Sequence, residues 1–148
     1  MTSIQTLLPA GVYHILLKGT NEYFVGGIGS QQLALGKTTL APHFKLEWNE
    51  EDSDAGTISF SSPESGKYLC RGKWKFDCPF TFKSVQRNGA TKFELVSMTA
   101  DGFVTLRDVE AGYNNFLNGS HFSMHLILSK NNDWKSAPKL KLEAAISE

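Results

Sequence analysis

An excess of charge of either sign is the first thing this chain lacks, since 15 Lys and Arg stand against 15 Asp and Glu. A general nucleic-acid binder carries a basic surplus, because phosphate contacts require Lys and Arg, so nucleic acid is not expected as a partner. No run of like charge forms a tail or a polybasic patch, and no apolar run approaches the ~20 residues that span a bilayer. Membrane insertion is therefore not expected. Met1 to Ala10 holds no positively charged residue and no long apolar block. It does not read as a secretory signal, and a cytoplasmic location follows as an expectation. Cysteine is scarce too, with only Cys70 and Cys78. They sit on neighbouring expected strands and are near enough to pair, but a reducing compartment favours two buried free thiols. Two thiols with no histidine close by in sequence do not complete a zinc site. Asn118-Gly119-Ser120 matches a glycosylation sequon and, in a chain that is not secreted, reads as a turn.

Catalytic patterns are missing as well. His14, His43, His121 and His125 are scattered, and there is no Gly-x-Ser-x-Gly elbow, Walker loop or His-Glu-x-x-His. His121 and His125 lie in a strand-like stretch, where four residues of rise separate them by about 13 Å, too far for one metal. Gly26-Gly27-Ile28-Gly29 lacks a following helix whose N-terminus would hold phosphate, and reads as a hairpin tip. The expectation is a protein that is not an enzyme and uses no cofactor and no metal.

What is present is alternation. A polar turn delivers the chain into a short strand at three places. Ser62-Pro63-Glu64-Ser65-Gly66 leads into Lys67-Tyr68-Leu69-Cys70-Arg71. Gly19-Thr20-Asn21-Glu22 leads into Tyr23-Phe24-Val25, and Thr99-Ala100-Asp101-Gly102 leads into Phe103-Val104-Thr105-Leu106. Pro pre-sets one backbone angle and Gly accepts positive φ, so these turns have a mechanism. Further strands are expected at Val12–Leu17, Gln31–Leu35, His43–Trp48, Gly56–Phe60, Phe80–Val85, Lys92–Val96, Phe122–Leu128 and Lys139–Glu143, with Asn88-Gly89 as a hairpin dipeptide. Phe44-Lys45-Leu46, Phe80-Thr81-Phe82 and Leu140-Lys141-Leu142 read as matching closing strands. About twelve strands, four in each of three units, predict an all-β fold, a β-trefoil with a pseudo-threefold barrel and a hairpin cap. It is read as a single domain over 1–148, with repeats at about 8–50, 55–88 and 91–146.

Leu8-Pro9-Ala10-Gly11-Val12-Tyr13-His14-Ile15-Leu16-Leu17 resembles the start of the β-trefoil lectin domain of fungal pore-forming haemolytic lectins. His43-Phe44-Lys45-Leu46, Ala55-Gly56-Thr57-Ile58 and Gly66-Lys67-Tyr68-Leu69 are similar to that family's strand and turn sequences. The resemblance implies a lectin without the pore-forming module, and a role in defence. The Gln-x-Trp repeat of ricin-type trefoils is absent, so no site of that subclass carries over.

Sugar recognition calls for an exposed aromatic face flanked by groups that bond hydroxyls, set on rigid loops. Two clusters fit that description. One is Arg71, Lys73, Trp74 and Asp77; the other is Arg107, Asp108, Tyr113, Asn114, Asn115 and Asn118. They read as equivalent places in two repeats, while the matching place in the first offers only Gln31-Gln32. Trp48 and Trp134 are assigned to packing. The expected function is metal-independent binding of galactose-type or N-acetylated glycans, through one to three sites, with a homodimer as a further route to avidity. Two rivals share the scaffold. A protease inhibitor would present Asn49–Ala55 or Asn131–Pro138 to a protease cleft, and an actin-bundling trefoil of the fascin or hisactophilin kind would use basic or His patches, of which this chain has few.

Overall fold

The computed structural model describes residues 7–19, 22–26, 33–36, 43–52, 56–72, 80–110, 115–119, 126–130 and 139–144. These residues form twelve strands in a single antiparallel sheet. The first four are β1 (Gly11–Leu17), β2 (Tyr23–Gly26), β3 (Leu33–Gly36) and β4 (Phe44–Asn49). Then come β5 (Thr57–Ser61), β6 (Tyr68–Arg71), β7 (Phe80–Lys83) and β8 (Phe93–Met98). The last four are β9 (Phe103–Asp108), β10 (Asn115–Gly119), β11 (Leu126–Lys130) and β12 (Leu140–Ala144).

The pairing path closes on itself. β1 pairs with β4, β4 with β5 and β5 with β8; β8 pairs with β9, β9 with β12, and β12 returns to β1. Each of these six strands has a neighbour on both sides, so the ring exposes no edge. The other six strands leave the ring as three hairpins, β2–β3 from β1, β6–β7 from β5 and β10–β11 from β9. The strands thus fall into three groups of four, with the first and fourth of each in the ring and the second and third in its hairpin.

This grouping differs from the repeats read along the sequence. Phe93–Met98 does not open a third unit; it closes the second, because Ile58↔Phe93 ties β8 to β5. The closing strands that correspond are therefore β4, β8 and β12, while Phe80-Thr81-Phe82 is the third strand of its group, paired with β6. Asn88-Gly89 is not a hairpin either. β7 and β8 pair with different neighbours, and Arg87–Gly89 forms a 3-10 turn between them. The turns at Gly19, Gly66 and Gly102 all use positive φ, at 87°, 74° and 90°. The first two join a ring strand to its hairpin, and the third joins two ring strands.

Period-2 burial builds the interior. Along β1, Tyr13, Ile15 and Leu17 are buried while Val12, His14 and Leu16 stay partly exposed. In β4, Phe44 and Leu46 are fully buried and Trp48 packs against the core, its indole N–H donating to the Leu8 carbonyl at 2.8 Å. Phe82, Phe44, Phe60, Phe93 and Phe80 form one chain of rings, with successive centroids at 5.8, 6.3, 5.8 and 5.7 Å. Each such contact adds roughly 0.5–1.5 kcal/mol beyond area burial. The third group completes the core with aliphatic residues, Val104, Leu106, Leu117 and Leu140. β5 departs from simple alternation, since all five of its residues are buried. Two residues of its polar face are met by Asn49, whose amide donates to Thr57 Oγ1 at 3.2 Å and to Ser59 Oγ at 2.8 Å.

Candidate functional site

Thr91 and Lys92, the two residues ahead of β8, act as a clip. On one side the Thr91 N–H donates to the Leu69 carbonyl at 3.2 Å, and Thr91 Oγ1 accepts the Arg71 N–H at 2.8 Å. On the other, the Lys92 carbonyl accepts the Val109 N–H at 3.0 Å. The end of β6 and the end of β9 are thereby held next to each other. Arg71 Nη1 meets Asp108 Oδ2 at 2.7 Å, bringing together one residue from each of the two clusters that the sequence singled out.

Asp108 is fully buried, and its second oxygen accepts the Glu110 N–H at 3.0 Å in a turn closed by the side chain. The carboxylate therefore does not face a ligand; it orients Arg71. Arg71 keeps 17% of its side chain exposed, and its Nη2 lies 3.6 Å from the well-exposed Glu110 carboxylate. Arg107 does not join this group. Side chains alternate along a strand, and the register Glu94↔Arg107 pairs its guanidinium with Glu94 at 2.8 Å. Asn115 and Asn118 lie on β10, whose Phe116 is in register with Arg107. Lys73, Trp74, Asp77, Tyr113 and Asn114 lie outside the described residues, as do Gln31-Gln32, Cys78 and Trp134. Nor are the two clusters in corresponding places: Arg71 ends a second strand, Asp108 a first.

Cys70 is a buried free thiol, as expected from the sequence, within 3.6 Å of the Tyr68 carbonyl and 3.9 Å of the Gly89 carbonyl, and burial pushes its pKa up. Two features escaped the sequence. His14 and His43 meet edge to face at 4.6 Å between centroids, beside Tyr23, whose hydroxyl donates to Glu143 at 2.7 Å. His14 Nδ1 is buried without a hydrogen-bond partner among the described residues. Two adjoining clefts flank the 3-10 turn. The larger, of about 630 Å³, is lined by Ser65, Gly66, Lys67, Ser84, Val85, Gln86 and Asn88. The smaller, of about 290 Å³, shares Gln86 and Asn88 and adds Asn49, Glu51, Arg87 and Lys92. Among the described residues no three His, Cys, Asp or Glu gather as metal ligands, and no helix is long and apolar enough to cross a membrane.

No family model and no curated protein matches this chain. Solved structures share its fold. A salivary protein from Culex quinquefasciatus, of the Cysteine and Tryptophan-Rich (CWRC) family, matches with a TM-score of 0.69 at 11% identity, over 93% of this chain and 95% of that one. A second structure of a Culex quinquefasciatus salivary protein from that family gives 0.66 at 12% identity, over 93% and 94%. The GlcNAcα1-4Gal-releasing endo-β-galactosidase of Clostridium perfringens gives 0.64 at 16% identity, over 88% of this chain but only 32% of the enzyme. At such identities the likeness is one of fold.

Proposed function

We propose that this chain is a β-trefoil lectin that binds galactose-type or N-acetylated glycans without metal and without catalysis. The observation that carries the reading is the Arg71–Asp108 pair, which brings together one residue from each of the two polar–aromatic clusters of the sequence. A buried carboxylate holds the guanidinium in one orientation, and a fixed planar donor suits the hydroxyls of a sugar. The three groups of four strands, each with its own hairpin, support the trefoil reading, and the fold is shared with part of an enzyme that acts on galactosides. Fold by itself does not assign function, so the patch has to carry the weight. Single-site affinity for a sugar is low, and a second site or a homodimer would raise it by avidity. A cytoplasmic defence role belongs to the same proposal.

A glycan array at neutral pH, run with and without a chelator, tests the reading. Selective binding that survives the chelator is expected, with losses of about tenfold or more in Trp74→Ala or Asn114→Ala. An array blank under both conditions would sink the lectin and leave protease inhibition as the activity to assay.

A further inference from the structure

The pair of clefts around Gln86–Asn88 has no part in the Arg71–Asp108 patch. The polar groups lining the larger cleft are hydroxyl, amide and ammonium, with Val85 as an exposed apolar wall (38% exposed). The two volumes together fall in the range of small-molecule sites. Asn49 sits under the smaller cleft with its amide nitrogen already committed to Thr57 and Ser59, which fixes the side chain. Arg87, on the wall, lies 3.6 Å from Glu47 and 3.8 Å from Glu51. Tyr68 braces the same Glu47 through its hydroxyl at 3.2 Å. The polar groups are therefore partly pre-organised, which lowers the entropy lost on binding.

Charge identifies the ligand class. Arg87 is answered by Glu47 and Glu51, whereas the larger cleft carries Lys67 with no acid in its described lining. Lys67 has no ion-pair partner among the described residues. A neutral sugar would leave this ammonium unanswered, whereas an anionic one would form a charge-assisted hydrogen bond with it. We propose that the two clefts form one binding trough for an acidic saccharide, a sugar bearing a carboxylate or sulfate, with the anionic group at Lys67 and its hydroxyls on Gln86, Asn88 and Ser84.

The test is backbone-amide NMR titration of the full chain with 3′-sialyllactose, 3′-sulfolactose, lactose and inorganic sulfate. The expected result is shifts at Ser65–Lys67 and Ser84–Asn88 with one or both acidic saccharides, at least about tenfold tighter than with lactose. Whichever acidic probe binds names the anionic group. Lys67→Glu should abolish these shifts and Lys67→Arg should keep them, while Lys83→Glu, the same charge change outside the clefts, should leave them in place. Several results would overturn the proposal: no shifts at these amides with either acidic probe, equal shifts with lactose, equal shifts with sulfate alone, or equal loss in Lys83→Glu. The Arg71–Asp108 pair is read separately, because neither residue lines either cleft.

Discussion

At the scale of single residues, two side chains should report on the fold directly. His14 is held below the ordinary histidine pKa, first by burial and then by His43, with Glu143 acting in the opposite direction. The unfolded chain therefore binds a proton at a pH where folded His14 does not. Stability is complete above the ordinary histidine value and falls as pH drops from there towards the lowered one. Thermal melts between pH 8 and pH 5 should show Tm declining on the acid side, with a shallower decline in His14→Leu; an unchanged slope in that variant would remove His14 as the cause. Arg71 tests the ion pair. Arg71→Ala leaves Asp108 buried and charged without the guanidinium, and such a loss costs about 3 kcal/mol. Urea unfolding should show a lowered midpoint, and Arg71→Ala combined with Asp108→Asn should recover part of the loss. A single variant as stable as the parent would mean that water reaches the carboxylate.

At the scale of elements, the turns are the parts whose chemistry is local. Gly66 sits at a φ of 74°, with nothing within 4 Å of where a Cβ would stand. Gly66→Ala should therefore lose only the left-handed backbone term, about 1–2 kcal/mol. Gly89→Ala makes the contrast. That glycine is not in the left-handed region, and its new Cβ would meet Val85 at 3.4 Å, an ordinary contact. Equilibrium unfolding of the two variants should separate them clearly, and equal losses would argue against the turn geometry. Asn88-Gly89 looked like the strongest hairpin signal in the chain because local propensity favours it. Pairing won instead: β8 has partners on both sides in the ring, and β7 belongs to the hairpin with β6.

For the whole molecule, the seam of the ring is the decisive contact. β1 pairs with β12 from Tyr13↔Ala144 to Leu17↔Leu140, joining the two ends of the described chain. The ring cannot close until nearly all of the chain is in place, and loop-closure entropy precedes the contacts that reward it. Refolding from urea by stopped flow should accordingly run on the millisecond-to-second scale of β-rich domains. Microsecond refolding would mean that the hairpins alone set the barrier. The ring also explains the asymmetric interior. Phenylalanines link the first and second groups while aliphatic side chains complete the third, so equivalent positions hold different residues around one shared core.

The sequence by itself determined the all-β class, the positions of most strands and the three glycine turns, because alternation and turn chemistry are local properties of the chain. It also singled out Arg71 and Asp108, as members of two separate candidate sugar sites. It misplaced the boundary between the second and third groups, since Phe93-Glu94-Leu95 alternates equally well as an opening or a closing strand, and only the register with Ile58 distinguishes the two. Only the tertiary structure could bring Arg71 to Asp108, His14 to His43, and Lys67 to the wall shared with Gln86 and Asn88. Those meetings depend on which strands pair across the ring, and pairing is settled by burial summed over the whole chain rather than by any residue's neighbours in sequence.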